Sequence, residues 1–338
     1  MSVKKANIYD VAELAGVSHQ TVSRVLNNHS SLKPATREKV EKAIAKLEYR
    51  PNQAARQLVT SQSRLIGLLV SGTELYGPSG ILKSIESQAR SEGYFVVTIS
   101  VLSREPKSWL GAIDQLRGLN IDGIITVALP REVIDEVERA LPDAALVVVD
   151  TEPSKDFDVI NIDNLNGGVL ATEYLISLGH ERIAHISGPE NQYEADQRKN
   201  GYLKVMKKAK LKPQILQGDW STSIGLKLGL ELFSQKVPPT AVFCANDHLA
   251  LGVLKAAALE GLRVPADISI VGFDDIPEAQ YLIPSLTTVR QDFIALGEIV
   301  ISRVLASLKG ESSHETLLVQ PTLMLRDSTA QFTEKKRK

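Results

Sequence analysis

Hydrogen-bonding side chains are concentrated at the start of a short helix that is predicted near the N-terminus. Val22, Val25 and Leu26 recur at helical spacing and form the inward face of that helix. The outward side chains are His19, Gln20, Ser23 and Arg24. Gln pairs bidentately with adenine and Arg with guanine in the major groove of DNA. The pattern therefore indicates a contact with base edges, and its alternative is a generic three-helix bundle with a solvated polar face.

The elements around this helix have the spacing of a helix-turn-helix. The sequence predicts three helices, over residues 8–14, 18–26 and 34–47. Ala12 is small enough for two helices to approach each other, Gly16 permits a tight turn, and Ser18 can cap the second helix. A helix presented in this way places its N-terminal residues against base edges.

A second set of polar residues follows predicted strands in the rest of the chain. These residues are Asp150, Asn246, Asp274 and Gln291. Carboxylates and amides can form paired hydrogen bonds with neighbouring hydroxyl groups. Trp220 and Phe293 can supply flat apolar faces for the C–H face of a pyranose. We interpret Asp247 as the cap of the helix that begins at His248, and leave it out of the set.

The elements that carry this second set alternate between strand and helix. Buried-type strands are predicted over residues 65–70, 95–100, 123–127, 145–149, 183–187, 241–244 and 269–272. Helices are predicted over residues 81–92, 133–140, 168–178, 195–209, 223–234 and 247–260. Alternation of this kind is typical of parallel α/β sheets. Two similar lobes are implied, with a ligand cleft where the carboxyl ends of their strands face each other.

Composition and charge restrict the class of protein. Among residues 1–60 there are ten Lys and Arg against five Asp and Glu, whereas the remainder has 29 against 35. The basic surplus therefore lies beside the predicted DNA contact. Cys244 is the single cysteine, which excludes an internal disulfide and favours a reducing compartment. We find no secretory signal and no apolar run long enough to span a bilayer, so we expect a cytoplasmic protein without membrane contact.

Several ordered stretches of this sequence resemble the LacI/GalR family of repressors. The N-terminal matches are Tyr-Asp-Val-Ala at 9–12, Thr-Val-Ser-Arg-Val-Leu-Asn at 21–27, Thr-Arg-Glu-Lys-Val at 36–40 and Tyr-Arg-Pro-Asn at 49–52. Later matches are Cys-Ala-Asn-Asp at 244–247, Gly-Phe-Asp-Asp at 272–275 and Leu-Thr-Thr-Val-Arg-Gln-Asp-Phe at 286–293. The resemblance extends to about Arg326 and covers almost the whole chain.

The resemblance implies a multi-domain fold, a partner and a mode of action. The fold is an all-α helix-turn-helix headpiece plus a periplasmic-binding-protein-like α/β core of two parallel-sheet lobes. The partner is double-stranded operator DNA, bound by a homodimer in the bacterial cytoplasm and associated with the nucleoid when bound. No leucine heptads are present near the C-terminus, so a dimer is expected and a tetramer is not. Residues 53–58 would fold as a hinge helix on the operator, with Leu58 wedged into the minor groove.

The same resemblance names the residues of both sites. The expected DNA contacts are Ser18, His19, Gln20, Thr21, Ser23, Arg24, Asn27, Asn52, Ala55 and Leu58. The expected effector contacts are Ser71, Asp150, Arg198, Trp220, Asn246, Asp274, Gln291 and Phe293. This set is similar to the pocket of the galactoside-responsive branch of the family, and Arg198 stands where the family holds the polar edge of the ligand. The effector is therefore expected to be a small sugar, a galactoside, that lowers operator affinity.

Domain boundaries follow from these assignments. The headpiece is predicted over 1–48, the hinge helix and linker over 49–63, and the effector-binding and dimerisation core over 64–330. Within the core, the first lobe takes about 64–162 and 294–321, and the second takes about 163–293 and 322–330. Residues 331–338 are predicted to be a disordered tail.

Three alternatives stay open at this point. An enzyme is disfavoured because no nucleotide-binding glycine motif, nucleophile elbow or metal-ligand spacing is present, so neither a metal nor a cofactor is expected. A stand-alone sugar receptor is disfavoured by the basic headpiece. A third alternative keeps the repressor but makes the effector a purine-like corepressor that strengthens DNA binding.

Overall fold

The structure is a computed structural model that describes residues 6–26, 32–49, 62–101 and 106–333. It divides into two compact units, one over Met1–Ser63 and the other over Arg64–Lys338. In the described part of the chain, no helix combines the length and the apolar character needed to cross a membrane.

Within the described residues of the first unit, three short helices surround a small apolar core. They are α1 (Ile8–Ala15), α2 (His19–Leu26) and α3 (Pro34–Lys46). Val11, Val22 and Val40 are fully buried between the helices, because each lies on the apolar stripe of its own helix. The turn after α1 passes through Gly16 at φ 67°, a left-handed conformation that glycine adopts without steric cost. The predicted helix-turn-helix is therefore confirmed, with ends that shift by one residue.

The second unit contains two six-stranded sheets, and the first of them is entirely parallel. Its order is β11-β5-β4-β3-β1-β2. The strands are β1 (Leu65–Val70), β2 (Phe95–Ser100), β3 (Gly123–Val127), β4 (Ala145–Val149), β5 (Asp158–Ile162) and β11 (Thr316–Val319). Its helices are α4 (Tyr76–Ser91), α5 (Pro106–Arg117), α6 (Arg131–Ala140) and α11 (Phe293–Ser307). Apolar residues of α4 and α11 cover one face, and those of α5 and α6 cover the other.

The second sheet is parallel except for one edge strand. Its order is β12-β10-β9-β8-β6-β7, and β12 runs antiparallel to β10. The strands are β6 (Ile183–Ser187), β7 (Gln214–Gln217), β8 (Ala241–Cys244), β9 (Ser269–Asp274), β10 (Thr287–Arg290) and β12 (Thr322–Met324). Its helices are α7 (Asn164–Ser177), α8 (Tyr193–Lys208), α9 (Thr222–Phe233) and α10 (Asp247–Leu259), with a 3-10 turn over Pro277–Tyr281.

The chain crosses between the two sheets three times. The crossings lie between β5 and α7, between β10 and α11, and between β11 and β12. Gln320 in the third crossing contacts the first crossing, because its side chain donates to Asp163 at 3.2 Å and accepts from Asn166 at 3.0 Å. Each sheet therefore receives one strand from the C-terminal part of the chain.

Glycines bring two helix pairs of the second sheet into close contact. A Cβ added to Gly201 on α8 would overlap the carbonyl oxygen of Leu165 and lie 2.9 Å from the Cα of Gly168 on α7. Gly225 on α9 and Gly252 on α10 face each other in the same way. This close approach fixes α8 against α7 and so positions the side chains at the start of α8.

The predicted fold class is confirmed, and some details are corrected. The boundaries predicted for headpiece, linker and lobes stay a prediction. The tail prediction is wrong for residues 331–333, because the Phe332 amide donates to the Leu178 carbonyl at 2.7 Å and its ring lies 5.6 Å from that of His180. Residues 334–338 lie outside the described residues.

Candidate DNA-reading helix and effector cleft

Helix α2 presents a polar face to solvent. Ser18 precedes it and caps it, since the Ser18 hydroxyl accepts the Thr21 amide at 3.2 Å. His19, Gln20 and Arg24 are exposed, as predicted for base contacts. Ser18 is exposed too, and Thr21 and Ser23 are half-buried.

An aromatic residue that the sequence analysis did not select lies next to this face. The ring of Tyr9 is 5.2 Å from that of His19, and Tyr9 is 64% exposed. An exposed tyrosine at the start of α1 was a signal in the sequence, because a large aromatic side chain on the polar side of an amphipathic helix is not used in the core. The remaining predicted DNA contacts, Asn27, Asn52, Ala55 and Leu58, lie outside the described residues, as does the predicted hinge helix.

Six of the eight predicted effector residues meet in one small chamber, which we call the inner chamber. It has a volume of 30 Å³. The predicted residues that line it are Asp150, Arg198, Trp220, Asn246, Asp274 and Gln291. Ser71 instead lines a larger adjoining chamber of 560 Å³, which we call the outer chamber. The set comes together because β4, β8, β9 and β10 all end at this side of their sheets.

Arg198 is the central cation of the inner chamber. It is 4% exposed, and its guanidinium lies 3.7 Å from the centre of the Phe273 ring. Its Nε donates to Asn164 Oδ1 at 2.8 Å, and one terminal nitrogen donates to the Ala245 carbonyl at 2.6 Å. That same nitrogen is 3.5 Å from Asp274 Oδ1. The fixed guanidinium therefore points its charge at the carboxylate that ends β9.

Asp274 holds the acceptor side of the chamber. Its Oδ1 accepts a hydrogen bond from Gln291 Nε2 at 2.6 Å. Burial raises the pKa of Asp274 to about 6, while Arg198 and the Gln291 hydrogen bond act in the opposite direction. At neutral pH the carboxylate is therefore mainly ionised and can accept hydrogen bonds from hydroxyl groups.

Trp220 and Asn246 form one wall. The Trp220 ring packs over Gly188, where a side chain would leave no room for it, and its Nε1 donates to Gln192 Oε1 at 2.6 Å. Asn246 Nδ2 donates to the Trp220 carbonyl at 3.1 Å. This contact ties the tryptophan backbone, at φ 72°, to the end of β8.

The capping assignment at α10 is corrected. Asn246 is the cap, since its Oδ1 accepts the Leu249 amide at 2.8 Å. Asp247 is the first helical residue and is buried, accepting from the Thr288 hydroxyl at 2.6 Å and the Ile276 amide at 2.9 Å. The prediction exchanged the two because Asn and Asp are almost equally good caps. Asp247 thus braces the segment that follows Asp274.

Phe293 lies away from the chambers as they are lined in the structure. It begins α11, where its ring packs against Gly80 and lies 5.9 Å from the Tyr76 ring. Tyr76 itself lines the inner chamber. Phe293 is therefore not among the residues that line the inner chamber, and it contacts Tyr76, which is.

Glu194 was missed by the sequence analysis. It lines both chambers and lies four residues before Arg198 on α8, so the two side chains share one face of the helix. That spacing was visible in the sequence. With Asp150 and Asp274, Glu194 makes three carboxylates around one guanidinium in the inner chamber.

Replacing Asp150 by Asn is expected to raise the melting temperature at pH 8. Burial and the nearby Glu194 raise the pKa of Asp150 to about 7 although Arg198 lowers it, so the folded state disfavours the charged form. Its folded pKa exceeds its unfolded value, so its contribution to stability falls as pH rises from about 4 to 7. We expect the variant to gain more than about 1 kcal/mol at pH 8, since one pKa unit corresponds to about 1.4 kcal/mol.

Thermal melts of the two proteins from pH 4 to pH 8 check this expectation. The difference between them should shrink toward pH 4. The matched control is Asp143→Asn, an exposed carboxylate of the same lobe, which should follow the wild type at every pH. A constant difference across the range would contradict the assignment.

Comparison with known proteins agrees with this geometry. Residues 7–52 match the model of bacterial regulatory proteins of the lacI family, and residues 172–329 match a periplasmic binding protein-like domain. The lactose operon repressor of Escherichia coli (strain K12) is 37% identical over 97% of this chain and 91% of its own length. The chain belongs to the LacI family.

Other LacI-family members cover the chain to a similar extent. The transcriptional repressor PurR of Proteus mirabilis (strain HI4320) is 36% identical over 96% of this chain and 97% of its own. A structure of the lac repressor dimer bound to operator and the anti-inducer ONPF has a TM-score of 0.87 at 36% identity, covering 97% of this chain and all of that one. A complex of the transcriptional regulator CelR with cellobiose has a TM-score of 0.71 at 29% identity, covering 96% of this chain and 99% of that one. These relatives are transcriptional regulators and not enzymes.

Proposed function

We propose that this LacI-family DNA-binding repressor holds operator DNA as a homodimer and is released when a small neutral sugar, a galactoside, enters the inter-lobe cleft. The observation that carries the proposal is the inner chamber. A buried guanidinium, a buried carboxylate and two amide side chains converge there beside an indole ring, at Arg198, Asp274, Gln291, Asn246 and Trp220. This combination of paired polar groups and a flat apolar face suits a pyranose.

The charges of the cleft favour a neutral ligand. Asp150, Glu194 and Asp274 surround the single guanidinium of Arg198 among the described lining residues of the inner chamber. An anionic ligand would place further negative charge beside these carboxylates at a site of low dielectric, which is costly. A neutral polyol instead supplies hydroxyl donors to the carboxylates.

Relatives support both the operator binding and the sugar effector in this proposal. Lac repressor structures with operator and ONPF, and with ONPG in the repressed state, have TM-scores of 0.87 to this chain. The CelR structure holds a disaccharide in a related fold. The PurR relatives keep a purine-like corepressor as the second candidate, which the test below includes.

The cleft geometry supplies a mechanism for release. Asp150 lies at the end of β4 in the first lobe, whereas Arg198 and Asp274 belong to the second lobe. A sugar that bonds to both sides favours one relative placement of the lobes, and a difference in affinity between two placements shifts the equilibrium between them. A coupling of about 1 to 3 kcal/mol to the DNA-binding state is usual for such switches. In this mechanism the hinge segment would couple the placement of the lobes to DNA binding by the headpiece.

A ligand panel tests the proposal. Thermal melts with galactosides, glucosides and purines should show stabilisation by a sugar, because a ligand that binds the folded state raises the melting temperature. The stabilising sugar should then release operator DNA, measured as a fall in fluorescence anisotropy of labelled fragments selected by the protein. Stabilisation by a purine that strengthens DNA binding would replace the inducer with a corepressor. No response to any sugar would overturn the proposal.

Replacing Arg24 by Ala is expected to weaken operator binding by about 1 to 3 kcal/mol and to relax base preference at one position. The exposed guanidinium lies in the last turn of α2, on the same polar side as His19 and Gln20, where it can contact a base edge. Anisotropy titrations with the selected operator and its single-base variants measure both effects. Lys42→Ala on α3 is the control, because it removes an equal charge from an exposed ion pair. If both variants lose affinity equally for all sequences, Arg24 makes only a general phosphate contact.

A further inference from the structure

A groove of 520 Å³ lies at the end of the second sheet opposite the effector cleft, and we call it the distal groove. Arg182, Thr240 and Ile268 line it, and each directly precedes a strand, β6, β8 or β9. Asn246 and Asp274 of the inner chamber lie at or just past the other ends of β8 and β9. Among the described lining residues, the distal groove shares none with either chamber. The proposed function therefore does not use it.

Apolar side chains line much of the distal groove. They include Phe233 at the end of α9, Leu262 and Pro265 after α10, and Phe332. Val237 also lines it and is 63% exposed. The volume lies within the range of about 300 to 1,000 Å³ that is usual for binding pockets. The groove can therefore accept apolar side chains of a bound segment.

The charges that the distal groove offers to a partner are mainly basic. Arg182 and Lys236 line it and are exposed. The described lining also contains Asp267, but its two carboxylate oxygens accept hydrogen bonds from Arg263 at 2.8 and 3.0 Å. His180 is buried, which lowers its pKa, so its ring is neutral at neutral pH. The groove therefore presents two exposed cations and one carboxylate that is already paired.

Further cations stand beside Lys236 on the same side of the lobe. Lys210 and Lys212 are exposed in the segment between α8 and β7. This segment is tied to the end of α9, because Gln214 Nε2 donates to Gln235 Oε1 at 2.9 Å. Since Gln235 immediately precedes Lys236, the lysines of both segments contribute to one basic surface.

The sequence beyond the described residues adds to this charge. Thr333 lines the distal groove, and the five residues that follow it are Glu-Lys-Lys-Arg-Lys. Four cations against one carboxylate thus follow directly on a lining residue. The excess of cations remains when the exposed Glu181, next to Arg182, is counted. Opposite charges attract a partner and like charges repel it, so the groove favours an acidic occupant.

An apolar groove with a basic rim suits an acidic protein segment better than a nucleic acid. Bases stack on open aromatic faces. Phe233 is only 9% exposed, and the ring of Phe332 lies 5.6 Å from that of His180. A protein segment instead places apolar side chains in a pocket and charged ones at its rim.

We propose that the distal groove binds an acidic segment of another protein, whose large apolar side chains enter the groove and whose carboxylates lie against Arg182 and Lys236. The repressor then has a protein partner in addition to its operator and its effector. This docking would occur whichever effector binds in the cleft.

A library of random twelve-residue peptides, displayed on phage and selected against the full chain, tests the inference. Selected peptides are synthesised with a fluorescent label, and their affinities are measured by anisotropy. Peptides that occupy the groove should carry more Asp and Glu than Lys and Arg, and at least one large apolar residue. Their affinity should fall at least about tenfold in Lys236→Glu. It should also fall with added salt, because salt screens exposed charges.

Two further variants separate apolar contact from general electrostatics. Val237→Ser keeps every charge and should weaken the same peptides by about threefold or more, since it removes apolar surface that the peptide would cover. Lys204→Glu makes the same charge reversal on α8, outside the described lining, and should leave peptide affinity within about twofold. Operator affinity within about twofold of the wild type reports that each of the three variants is folded.

Three results would overturn the docking site for an acidic segment. One is that no acidic peptide is weakened by both Lys236→Glu and Val237→Ser. Another is that these two variants weaken binding of a labelled non-operator DNA duplex and of no peptide, which would assign the groove to nucleic acid. The third is that they change the oligomeric state in sedimentation, which would assign the groove to a second copy of the chain.

Discussion

Replacing Asp274 by Asn is expected to weaken sugar binding by more than about 100-fold while operator affinity stays within about twofold. The Asp274 carboxylate accepts from Gln291 at 2.6 Å and lies 3.5 Å from the Arg198 guanidinium. Asn keeps the shape but removes the charge, which weakens each hydrogen bond from a sugar hydroxyl and leaves Arg198 without its nearest carboxylate. The repressor would then stay on its operator at sugar concentrations that release the wild type.

Two measurements separate loss of the site from loss of the fold. Sugar affinity is measured by calorimetry, and operator affinity by anisotropy without sugar, which requires a folded dimer. Asp267→Asn is the matched control, because Asp267 pairs with Arg263 at the surface of the same lobe, away from both chambers. A variant that is released at the wild-type sugar concentration would remove Asp274 from the effector site.

Replacing Gly201 by Ala is expected to destabilise the core by at least about 2 kcal/mol, near the upper end of what overpacking usually costs. The added methyl group would overlap the Leu165 carbonyl oxygen and lie 2.9 Å from the Gly168 Cα. Both are backbone atoms, so helices α7 and α8 must move apart to admit it. Since α8 carries Arg198 and Glu194, sugar affinity should fall as well.

Gly111→Ala supplies the comparison for this change. Gly111 is exposed on helix α5, and a Cβ there meets no atom within 4 Å. Ala in place of an exposed helical Gly should be neutral or stabilise by up to about 1 kcal/mol. Thermal melts of the two variants therefore should shift in opposite directions, and equal shifts would show that α7 and α8 tolerate separation.

Periodicity in the sequence predicted most of the strands with accuracy. The predicted ranges of β1, β2, β3, β4, β6 and β8 agree with the structure at both ends. Buried parallel strands are continuous apolar runs bounded by turn residues, so their ends are sharp in the sequence. Helix α4 was predicted to start five residues late, because Pro78 and two glycines in its first turn read as a loop.

Elements that depend on distant partners were not predicted. Strands β11 and β12 are short. Strand β11 pairs with β5, which lies more than a hundred residues earlier in the chain, and β12 pairs with β10, from which it is separated by two crossings between the sheets. Their local sequence carries little signal, because pairing rather than propensity stabilises them.

The candidate site likewise contains residues that the local sequence predicts and residues whose position depends on distant packing. Asp150, Asn246, Asp274 and Gln291 were predicted to line a cleft because each follows a predicted strand, and all four line the inner chamber. The carboxyl ends of parallel strands lie at one edge of each sheet, and here the two edges face each other. The position of Phe293 depends on how Gly80 and Tyr76 pack, which no local pattern contains. The size of the outer chamber likewise depends on the packing of both lobes.

The three crossings between the sheets have a consequence for synthesis on the ribosome. Strands β1 to β5 emerge early, but their sixth neighbour, Thr316–Val319, is translated only after the whole of the second sheet except β12. Both sheets therefore keep an unpaired edge until residues 316–324 have been translated, and such edges invite aggregation and proteolysis. A nonsense codon anywhere before residue 316 would leave both lobes incomplete rather than one, so truncated alleles should yield little protein of either lobe.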